Sequence, residues 1–163
     1  SRGVVHRDVK CANVLLSRDW EKIALADFGL ACRVEGTAAQ EVATQALGTP
    51  AYLPPEIICG RPHSPASDAW SLGVCSFKLA ALRRPFEGRD DVTLSMKIVK
   101  AEPAQLPKDT AADVACAVLG LLIKDQSQRL RPADAYRLTH ESSIARLSRL
   151  ALVQKKRDWF SRL

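Results

Sequence analysis

The sequence predicts a mainly α-helical domain with a short β-hairpin near its N-terminal end. A chain of 163 residues that is 47% hydrophobic and 26% charged has the size and composition of a single soluble globular domain. Two apolar runs, 14–16 and 23–26, flank a polar connection and predict the hairpin. Helical periodicity begins at Ser67 and recurs as far as about residue 139. The predicted fold is therefore rich in helix and poor in sheet.

The segment that begins at Ser67 is predicted to be a central helix. Its apolar residues, which run as far as Leu79, occupy more than one face, as a helix buried on several sides requires. Ser67 is a candidate N-cap, and Asp68 would follow it in the first turn, where a carboxylate interacts favourably with the helix dipole. The stretch 84–88 ends this helix.

Three amphipathic helices are predicted after the central one, at about 91–100, 111–123 and 132–139. The large apolar side chains of this half of the chain are expected in the core rather than in contact with a ligand. The clearest core candidates are Trp70, Phe86 and Leu121–Leu122.

The net charge of +6 comes mostly from the end of the chain. Residues 1–136 carry 17 Lys and Arg against 16 Asp and Glu, whereas residues 137–163 carry 7 against 2. A nearly neutral body gives no reason to expect a nucleic-acid partner. The longest apolar run, 114–123, is half of the roughly 20 residues that span a bilayer, so no transmembrane segment is predicted.

The cysteines indicate an intracellular, cytoplasmic protein. They form no C-x-x-C pair, and a disulfide framework is not expected in a chain of this length. Reduced thiols are therefore expected at all five positions, Cys11, Cys32, Cys59, Cys75 and Cys116.

Four polar residues near the N-terminal end suit phosphoryl-transfer chemistry. The carboxylate of Asp8 is followed by an ammonium at Lys10, an amide at Asn13 and a second carboxylate at Asp27. The hairpin has Asn13 and Asp27 at its two chain ends, so both oxygens can face one magnesium ion, which prefers oxygen ligands and shares them with substrate phosphates. Each residue alone reads as a solvated loop residue, but the four in this order point to a nucleotide phosphate.

Five sequence motifs occur in an order known from one enzyme family. Residues 6–13 read H-R-D-V-K-C-A-N, and D-F-G follows at 27–29, which resembles the catalytic loop and magnesium-binding motif of the eukaryotic protein kinases. The resemblance continues through G-T-P-A-Y-L-P-P-E at 48–56, S-D-A-W-S-L-G at 67–73 and D-Q-S-Q-R at 125–129. It implies the helical C-terminal lobe of the protein-kinase-like α+β fold.

The resemblance implies a serine/threonine kinase that uses ATP and Mg2+ and acts on Ser and Thr hydroxyls of proteins. By this resemblance Asp8 would orient the acceptor hydroxyl, Lys10 would neutralise the γ-phosphoryl group, and the Thr49 hydroxyl would bridge the two. Asn13 and Asp27 would bind the magnesium ion, and Lys10 would share in binding the nucleotide. The pairing of Lys10 with Thr49 resembles serine/threonine rather than tyrosine kinases, with a loose similarity to the NIMA-related group.

Residues 30–56 show no sustained helical or strand period and predict a mobile loop, which resembles a kinase activation segment. In related kinases the equivalent of Arg7 binds a phosphate on this loop, and Thr44 is the nearest candidate acceptor. The position that many relatives phosphorylate is Gln45 here, so regulation by loop phosphorylation is in question, and Thr44 can equally be a solvated loop residue.

Three further residues are given structural roles by the resemblance. Glu56 would pair with Arg129, more than seventy residues away in sequence, and form a buried ion pair. Asp68 would accept hydrogen bonds from the backbone of the catalytic loop and so hold Asp8 in place.

The resemblance covers the C-terminal lobe alone, because the chain contains no G-x-G-x-x-G and no lysine of the V-A-I-K type before the catalytic loop. We therefore expect residues 1–139 to be a partial kinase domain that alone binds ATP weakly and is nearly inactive, with an exposed surface where a second lobe would sit. Residues 140–163 form a basic amphipathic extension that would dock on a partner or pack on its own domain. The alternative function is a non-catalytic kinase-like lobe that acts as a protein-binding module.

Overall fold

The computed structural model describes residues 3–19, 21–33 and 48–140. Four short strands are present in these ranges: β1 (Val4–Val5), β2 (Val14–Leu16), β3 (Ile23–Leu25) and β4 (Cys32–Arg33). The helices in these ranges are α1 (Pro55–Ile58), α2 (Pro65–Ala81), α3 (Asp91–Lys100), α4 (Ala112–Leu121) and α5 (132–140). Three 3₁₀ turns lie at Cys11–Asn13, Phe28–Leu30 and Pro50–Tyr52. The predicted helix-rich architecture is confirmed for the described residues.

The strands form two antiparallel pairs. Strands β2 and β3 make the predicted hairpin, in which Val14 lies opposite Leu25 and the N–H of Ser17 donates to the carbonyl of Lys22 at 2.9 Å. Strands β1 and β4 form a second pair that the sequence did not predict. The expectation of a structureless loop over residues 30–56 was therefore wrong at its start, because a two-residue strand is too short to leave a periodic pattern.

The same loop expectation was wrong at its end. The chain makes a 3₁₀ turn at Pro50–Tyr52 and the short helix α1 at Pro55–Ile58, and each begins with a proline. Proline suits the first position of a helix, since its missing N–H group would have no partner there. The predicted loop phosphorylation site Thr44 and residues 141–163 of the predicted extension lie outside the described residues.

Helix α2 is the central element, but it begins earlier than predicted. Ser64 is the N-cap and accepts a hydrogen bond from the N–H of Ala66, whereas Ser67 returns a bond to the N–H of Ser64 and completes a capping box. Ser67 was therefore wrongly predicted as the cap, because Pro65 can open a helix as well as interrupt one. Leu79 was also predicted to be buried, yet it is 74% exposed.

The core lies between α2, α3 and α4. Trp70 and Phe77 are fully buried on α2, and the ring of Trp70 stacks on Phe86 with centroids 5.7 Å apart. Helices α2 and α4 approach closely at Gly73, where an added Cβ would lie 2.9 Å from the Cβ of Leu121. The predicted core residues are confirmed, and the main cluster consists of Trp70, Val74, Phe77, Phe86, Leu94, Ile98, Val118 and Leu122.

The helices after α2 match the predicted ones to within two residues, since α3, α4 and α5 span 91–100, 112–121 and 132–140. Asp90 caps α3 by accepting from the N–H of Thr93 at 2.7 Å. Within the described ranges, none of the helices has the length and apolar character that crossing a membrane would require.

Candidate active site

The loop 6–13 is fixed to helix α2 by one carboxylate. Asp68, in the first turn of α2, accepts hydrogen bonds from the backbone N–H groups of His6 at 2.7 Å and Arg7 at 3.0 Å. These bonds hold Arg7 in a left-handed conformation with φ of 67°, which is unfavourable for a residue with a side chain. The predicted contact between Asp68 and the loop backbone is therefore present, and it helps to set the direction in which the Asp8 side chain points.

Asp8 lies at the centre of a polar cluster and is 7% exposed. The ammonium of Lys10 donates to Asp8 Oδ2 at 2.6 Å, and the backbone N–H of Thr49 donates to Asp8 Oδ1 at 3.1 Å. The Thr49 hydroxyl donates to Asp8 Oδ1 at 2.9 Å and accepts from Lys10 Nζ at 3.1 Å. The structure thus places the Thr49 hydroxyl as a bridge between the carboxylate and the ammonium.

This cluster sets the ionisation of Asp8. Burial acts to raise the pKa of the Asp8 carboxyl, but the hydrogen bonds from Lys10 and Thr49, together with the charge of Lys10, act in the opposite direction. The net pKa of Asp8 lies below its ordinary value of 3.8. Asp8 is therefore a carboxylate at neutral pH, suited to accepting a hydrogen bond and poorly suited to holding a proton.

Asn13 adjoins this cluster and is 7% exposed. Its Nδ2 donates to the backbone carbonyl of Asp8 at 2.9 Å and, over a longer 3.4 Å, to Asp8 Oδ2. Within the described residues both side-chain hydrogen bonds use the amide nitrogen, which leaves the amide oxygen for another partner. Amide oxygens are among the ligands that Mg2+ and Ca2+ accept.

Asp27 lies beyond the other strand of the hairpin. Because β2 and β3 are antiparallel, Asn13 and Asp27 come to the same end of the hairpin, where the N–H of Ala26 donates to the carbonyl of Asn13 at 2.8 Å. Asp27 is exposed, has a left-handed backbone with φ of 63°, and accepts from the N–H of Gly29 at 3.4 Å. In the described part of the chain its carboxylate has no hydrogen bond with Asp8, Lys10 or Asn13.

Asp27 is linked to the loop 6–13 through its neighbours instead. His6 Nε2 lies 3.0 Å from the carbonyl of Ala26, and the rings of His6 and Phe28 meet edge to face with centroids 4.7 Å apart. Of the predicted site residues, the structure joins Asp8, Lys10, Asn13 and Thr49 directly, and it brings Asp27 near them through backbone contacts.

The donor set fits a cation that shares its ligands with a phosphate. Asn13 and Asp27 offer an amide oxygen and an exposed carboxylate at one end of the hairpin. No three His, Cys, Asp or Glu side chains in the described ranges come together in a way that could hold a metal ion. Mg2+ is commonly held by one or two protein ligands with waters and substrate phosphates completing the octahedron, so two protein oxygens suit it.

Arg7 and the Glu56–Arg129 pair lie outside this cluster. Arg7 is 8% exposed, and its Nε donates to the carbonyl of Leu30, so the guanidinium lies against the segment that follows D-F-G. The predicted ion pair is present: Arg129 Nη1 and Nη2 lie 2.6 Å and 2.8 Å from the two carboxylate oxygens of Glu56. Both side chains of this pair are at most 2% exposed, which suits a structural role.

The structural role of Gly48 was not predicted from the sequence. Gly48 has φ of +119°, and an added Cβ would lie 2.7 Å from the backbone oxygen of Arg7. Any other residue would push the Thr49 segment away from the loop 6–13. The G-T motif contained this signal, since a glycine beside a polar residue often marks a close backbone approach.

Comparison with known proteins gives consistent results over most of the chain. Residues 1–140 match the family model described as protein kinase domain. The chain is 34% identical to the rice serine/threonine-protein kinase Nek3 (Oryza sativa subsp. japonica) over 137 residues, and these aligned residues cover 84% of this chain and 23% of that protein. It is 36% identical over 134 residues to the serine/threonine-protein kinase PknA of Mycobacterium tuberculosis, covering 82% and 31% of the two chains.

A third relative, the rice CBL-interacting protein kinase 28, is 35% identical over 156 residues, which cover 95% of this chain and 33% of that protein. The chain therefore spans about a quarter to a third of the length of the curated relatives it matches. The similar identities to differently named kinases do not single out one subgroup, so the loose similarity to NIMA-related kinases stays a prediction.

Proposed function

Since the chain belongs to the protein kinase domain family, we propose that it is the C-terminal lobe of a serine/threonine protein kinase. The reaction is transfer of the γ-phosphoryl group of ATP to Ser or Thr hydroxyls of protein substrates. Residues 1–139 form the partial kinase domain in this proposal, and 140–163 form an extension that offers a docking segment for a partner. Loop regulation would use Arg7 as the phosphate-binding residue and Thr44 as the acceptor.

One observation carries the proposal: the shared hydrogen-bond network of Asp8, Lys10 and Thr49. Thr49, which is 41 positions from Asp8 in sequence, donates its backbone N–H at 3.1 Å and its hydroxyl at 2.9 Å to Asp8 Oδ1, and Lys10 donates to Asp8 Oδ2 at 2.6 Å. The network orients a carboxylate and an ammonium side by side, with the carboxylate kept ionised by its partners. Phosphoryl transfer needs this pair, because its catalysis depends on positioning and on electrostatic stabilisation.

The roles of the network follow from its charges. Asp8, ionised because its pKa is lowered, accepts the hydrogen bond of the acceptor hydroxyl and directs the oxygen lone pair toward the phosphoryl group. Lys10 is 25% exposed at its side chain, so its ammonium can reach a negative group in the cleft while it stays within 2.6 Å of Asp8. Thr49 fixes the geometry of both groups through its hydrogen bonds with Asp8 and Lys10.

When bound, ATP with Mg2+ supplies the transferable phosphoryl group and the positive charge that makes it electrophilic. Asn13 would hold the cation through its amide oxygen and Asp27 through its exposed carboxylate. Asn13 also ties this site to the catalytic carboxylate, because its amide nitrogen donates to the Asp8 backbone carbonyl at 2.9 Å.

The C-terminal-lobe assignment is supported by an apolar surface on the hairpin. Leu15, Leu16, Ile23 and Phe28 are between 49% and 72% exposed. Leu15, Leu16 and Ile23 lie on the hairpin and Phe28 follows it, and exposed apolar side chains so close together in the chain often mark an interaction surface. By resemblance, this is the side of the lobe on which a nucleotide and a second lobe would lie.

The proposal is tested with the full-length gene product that contains these residues. Asp8→Asn should reduce ATP-dependent phosphorylation of a generic Ser/Thr protein substrate by about 10²–10⁴-fold. The matched control is Asp109→Asn, which makes the same chemical change at an exposed carboxylate between α3 and α4 and should leave the rate unchanged. Equal rates for Asp8→Asn and the unaltered protein would refute the proposal.

The chain of 163 residues can itself be tested for nucleotide binding. With Mn2+ and ATP as the probe, paramagnetic broadening of amide signals should centre on Asn13 and Asp27 and disappear in Asp27→Ala. A normal fold without any broadening near these residues, together with an inactive full-length protein, would favour the alternative of a non-catalytic binding module.

A further inference from the structure

Helix α3 carries apolar side chains on two of its sides. Leu94 and Ile98 are at most 6% exposed and belong to the main core cluster, whereas Val92 is 72% exposed and Met96 is 55% exposed. The exposed pair borders an open groove of about 420 Å³, to which Ile58 of α1 adds a further apolar side chain. The α3 groove is lined from its own helix by Asp91, Val92, Ser95, Met96, Val99 and Lys100. Apolar residues that are contiguous on a surface mark an interaction site more often than singly scattered ones do.

The residues that line the α3 groove have the spacing of a seam between two helices. Val92, Met96 and Val99 follow one another at intervals of four and three residues. At this spacing Val92 and Val99 lie only about 20° apart around the helix axis. Ser95 adjoins Met96 and is small, which lets a second helix approach closely at the middle of the seam. This side of α3 is therefore suited to packing against another helix.

The two ends of the α3 groove carry opposite charges. Asp91 lies at the N-terminal end of α3 and Lys100 at its C-terminal end, and both side chains are exposed. Neither forms a salt bridge with another of the described residues. If two α3 helices packed antiparallel around a twofold axis, each Asp91 would face the Lys100 of the other copy. Parallel packing would instead bring like charges together, so the charges favour the antiparallel arrangement.

The register that pairs Asp91 with Lys100 also matches the side chains between them. One position inward from each end, Val92 comes to lie opposite Val99 of the other copy. At the centre, Ser95 lies opposite Met96, so the long side chain of one helix meets the small side chain of the other. A single register thus satisfies the charges, the apolar contacts and the side-chain sizes.

We propose that the α3 groove is the interface of an isologous dimer, in which the α3 helices of two copies of this chain pack antiparallel. The occupant of the groove is the same helix face of the second copy. One face of a ten-residue helix is smaller than the roughly 800 Å² per partner of a standard interface, so the expected Kd is about 10⁻⁵–10⁻⁴ M. The dimer rests on the residues of α3 and does not depend on phosphoryl transfer.

Reversing the charges at the ends of α3 tests the proposed dimer. Sedimentation velocity of the 163-residue chain is measured from about 10 to 500 μM at low ionic strength, where exposed charges are least screened. A reductant keeps the exposed Cys59, at the end of α1, from linking two copies. The unaltered chain should form dimers in this range. Asp91→Lys and Lys100→Asp should each raise Kd by about tenfold, because each turns two attractive contacts into two repulsive ones.

Combining the two reversals tests the antiparallel register itself. The double variant Asp91→Lys with Lys100→Asp should bring Kd back to within about twofold of the unaltered value, because each end again faces an opposite charge. An equimolar mixture of the two single variants should also dimerise, since one chain then has lysines at both ends of α3 and the other has aspartates. Circular dichroism checks that every variant keeps its helical content.

The matched control makes the same change elsewhere on α3. Lys97 is exposed on the same helix but lines a different cavity, together with Arg84 and Glu87. Lys97→Asp should therefore leave Kd unchanged, although it alters the net charge as much as Lys100→Asp does.

Three results would overturn the proposed dimer. The first is a chain that stays monomeric at the highest concentration, which would leave the α3 groove to a different partner. The second is a dimer that both single reversals leave unchanged, which would place the interface elsewhere, for example on the exposed apolar residues of the hairpin. The third is a pair of weakened single variants that regain no affinity in the double variant or in the mixture.

Discussion

Replacing Arg129 by methionine tests the buried ion pair between Arg129 and Glu56. The Arg129 guanidinium makes two charged bonds with Glu56, at 2.6 Å and 2.8 Å. It also donates to the backbone carbonyls of Ala66 at 2.7 Å, Ile123 at 2.8 Å and Lys124 at 3.1 Å. With one side chain, Arg129 thus joins the segment after α4 to α1 and the start of α2.

The expected loss is large because Glu56 would stay charged and buried. Breaking a buried ion pair from one side costs about 3–5 kcal/mol, and the three carbonyls that also lose a donor favour the upper end of that range. For a domain of this size, each 1 kcal/mol lowers the melting temperature by about 2–4 °C, so the expected drop is roughly 6–20 °C. Such a loss is a large part of the typical total stability of about 5–15 kcal/mol.

The measurement is urea unfolding followed by circular dichroism. The matched control is Arg131→Met, since Arg131 is 79% exposed and its bond with Asp134 lies on the surface; this change should cost less than about 1 kcal/mol. The double variant Glu56→Leu with Arg129→Met should regain part of the loss, because it removes the unpaired charge. A loss below about 1 kcal/mol for Arg129→Met, equal to that of Arg131→Met, would refute the reasoning.

Three further changes test other parts of the structure. Asp68→Ala leaves two backbone N–H groups of the catalytic loop without their acceptor, so it should cost about 2–4 kcal/mol and speed amide exchange at residues 6 and 7, while Asp68→Asn should cost less. In urea unfolding, Gly48→Ala should destabilise the protein more than Gly60→Ala. Both glycines have positive φ, but an added Cβ meets the Arg7 backbone oxygen at Gly48 and open space at Gly60. Equal losses of stability in the two variants would contradict this. Burial raises the pKa values of Tyr52 and Cys75 to about 12 in the folded protein, so the unfolded chain loses these protons at a lower pH than the folded chain does. The free energy of unfolding should therefore keep its full value below about pH 9 and fall as the pH rises towards 12. In the Cys75→Ala variant this fall in stability should be smaller in the first part of the range.

The sequence predicted local structure well where the determining contacts are local. The hairpin followed from two apolar runs and a polar turn, and pairing of Val14 with Leu25 closes only a short loop. Strand β4 pairs with β1 over a long separation in sequence, 27 positions from Val5 to Cys32 and 29 positions from Val4 to Arg33. A strand of two residues has no alternating pattern that could indicate this pairing. The exposed Leu79 shows the same limit, since a helical pattern does not say which faces the rest of the chain will cover.

The candidate site shows the same difference between contacts of residues close in sequence and contacts of residues far apart. The residue types and spacing of 8–13 suggested phosphoryl-transfer chemistry without any structure. The contact of Thr49 with Asp8 spans 41 positions, and physical reasoning on the sequence gives no distance for such a pair; the kinase resemblance supplied it.

The geometry of the candidate site favours a loop 6–13 that is in place before any ligand binds. In the described residues, the non-glycine residues with positive φ are Arg7, Asp27 and Leu82, and two of these three flank the candidate site. Such conformations cost of order 1–3 kcal/mol each and persist when the surroundings fix them. For Arg7 the fixing contact is Asp68, which accepts the backbone N–H at 3.0 Å from the rigid, buried helix α2. The strain is therefore offset by contacts within the protein, and Asp8 points toward Lys10 and Thr49 without help from a substrate.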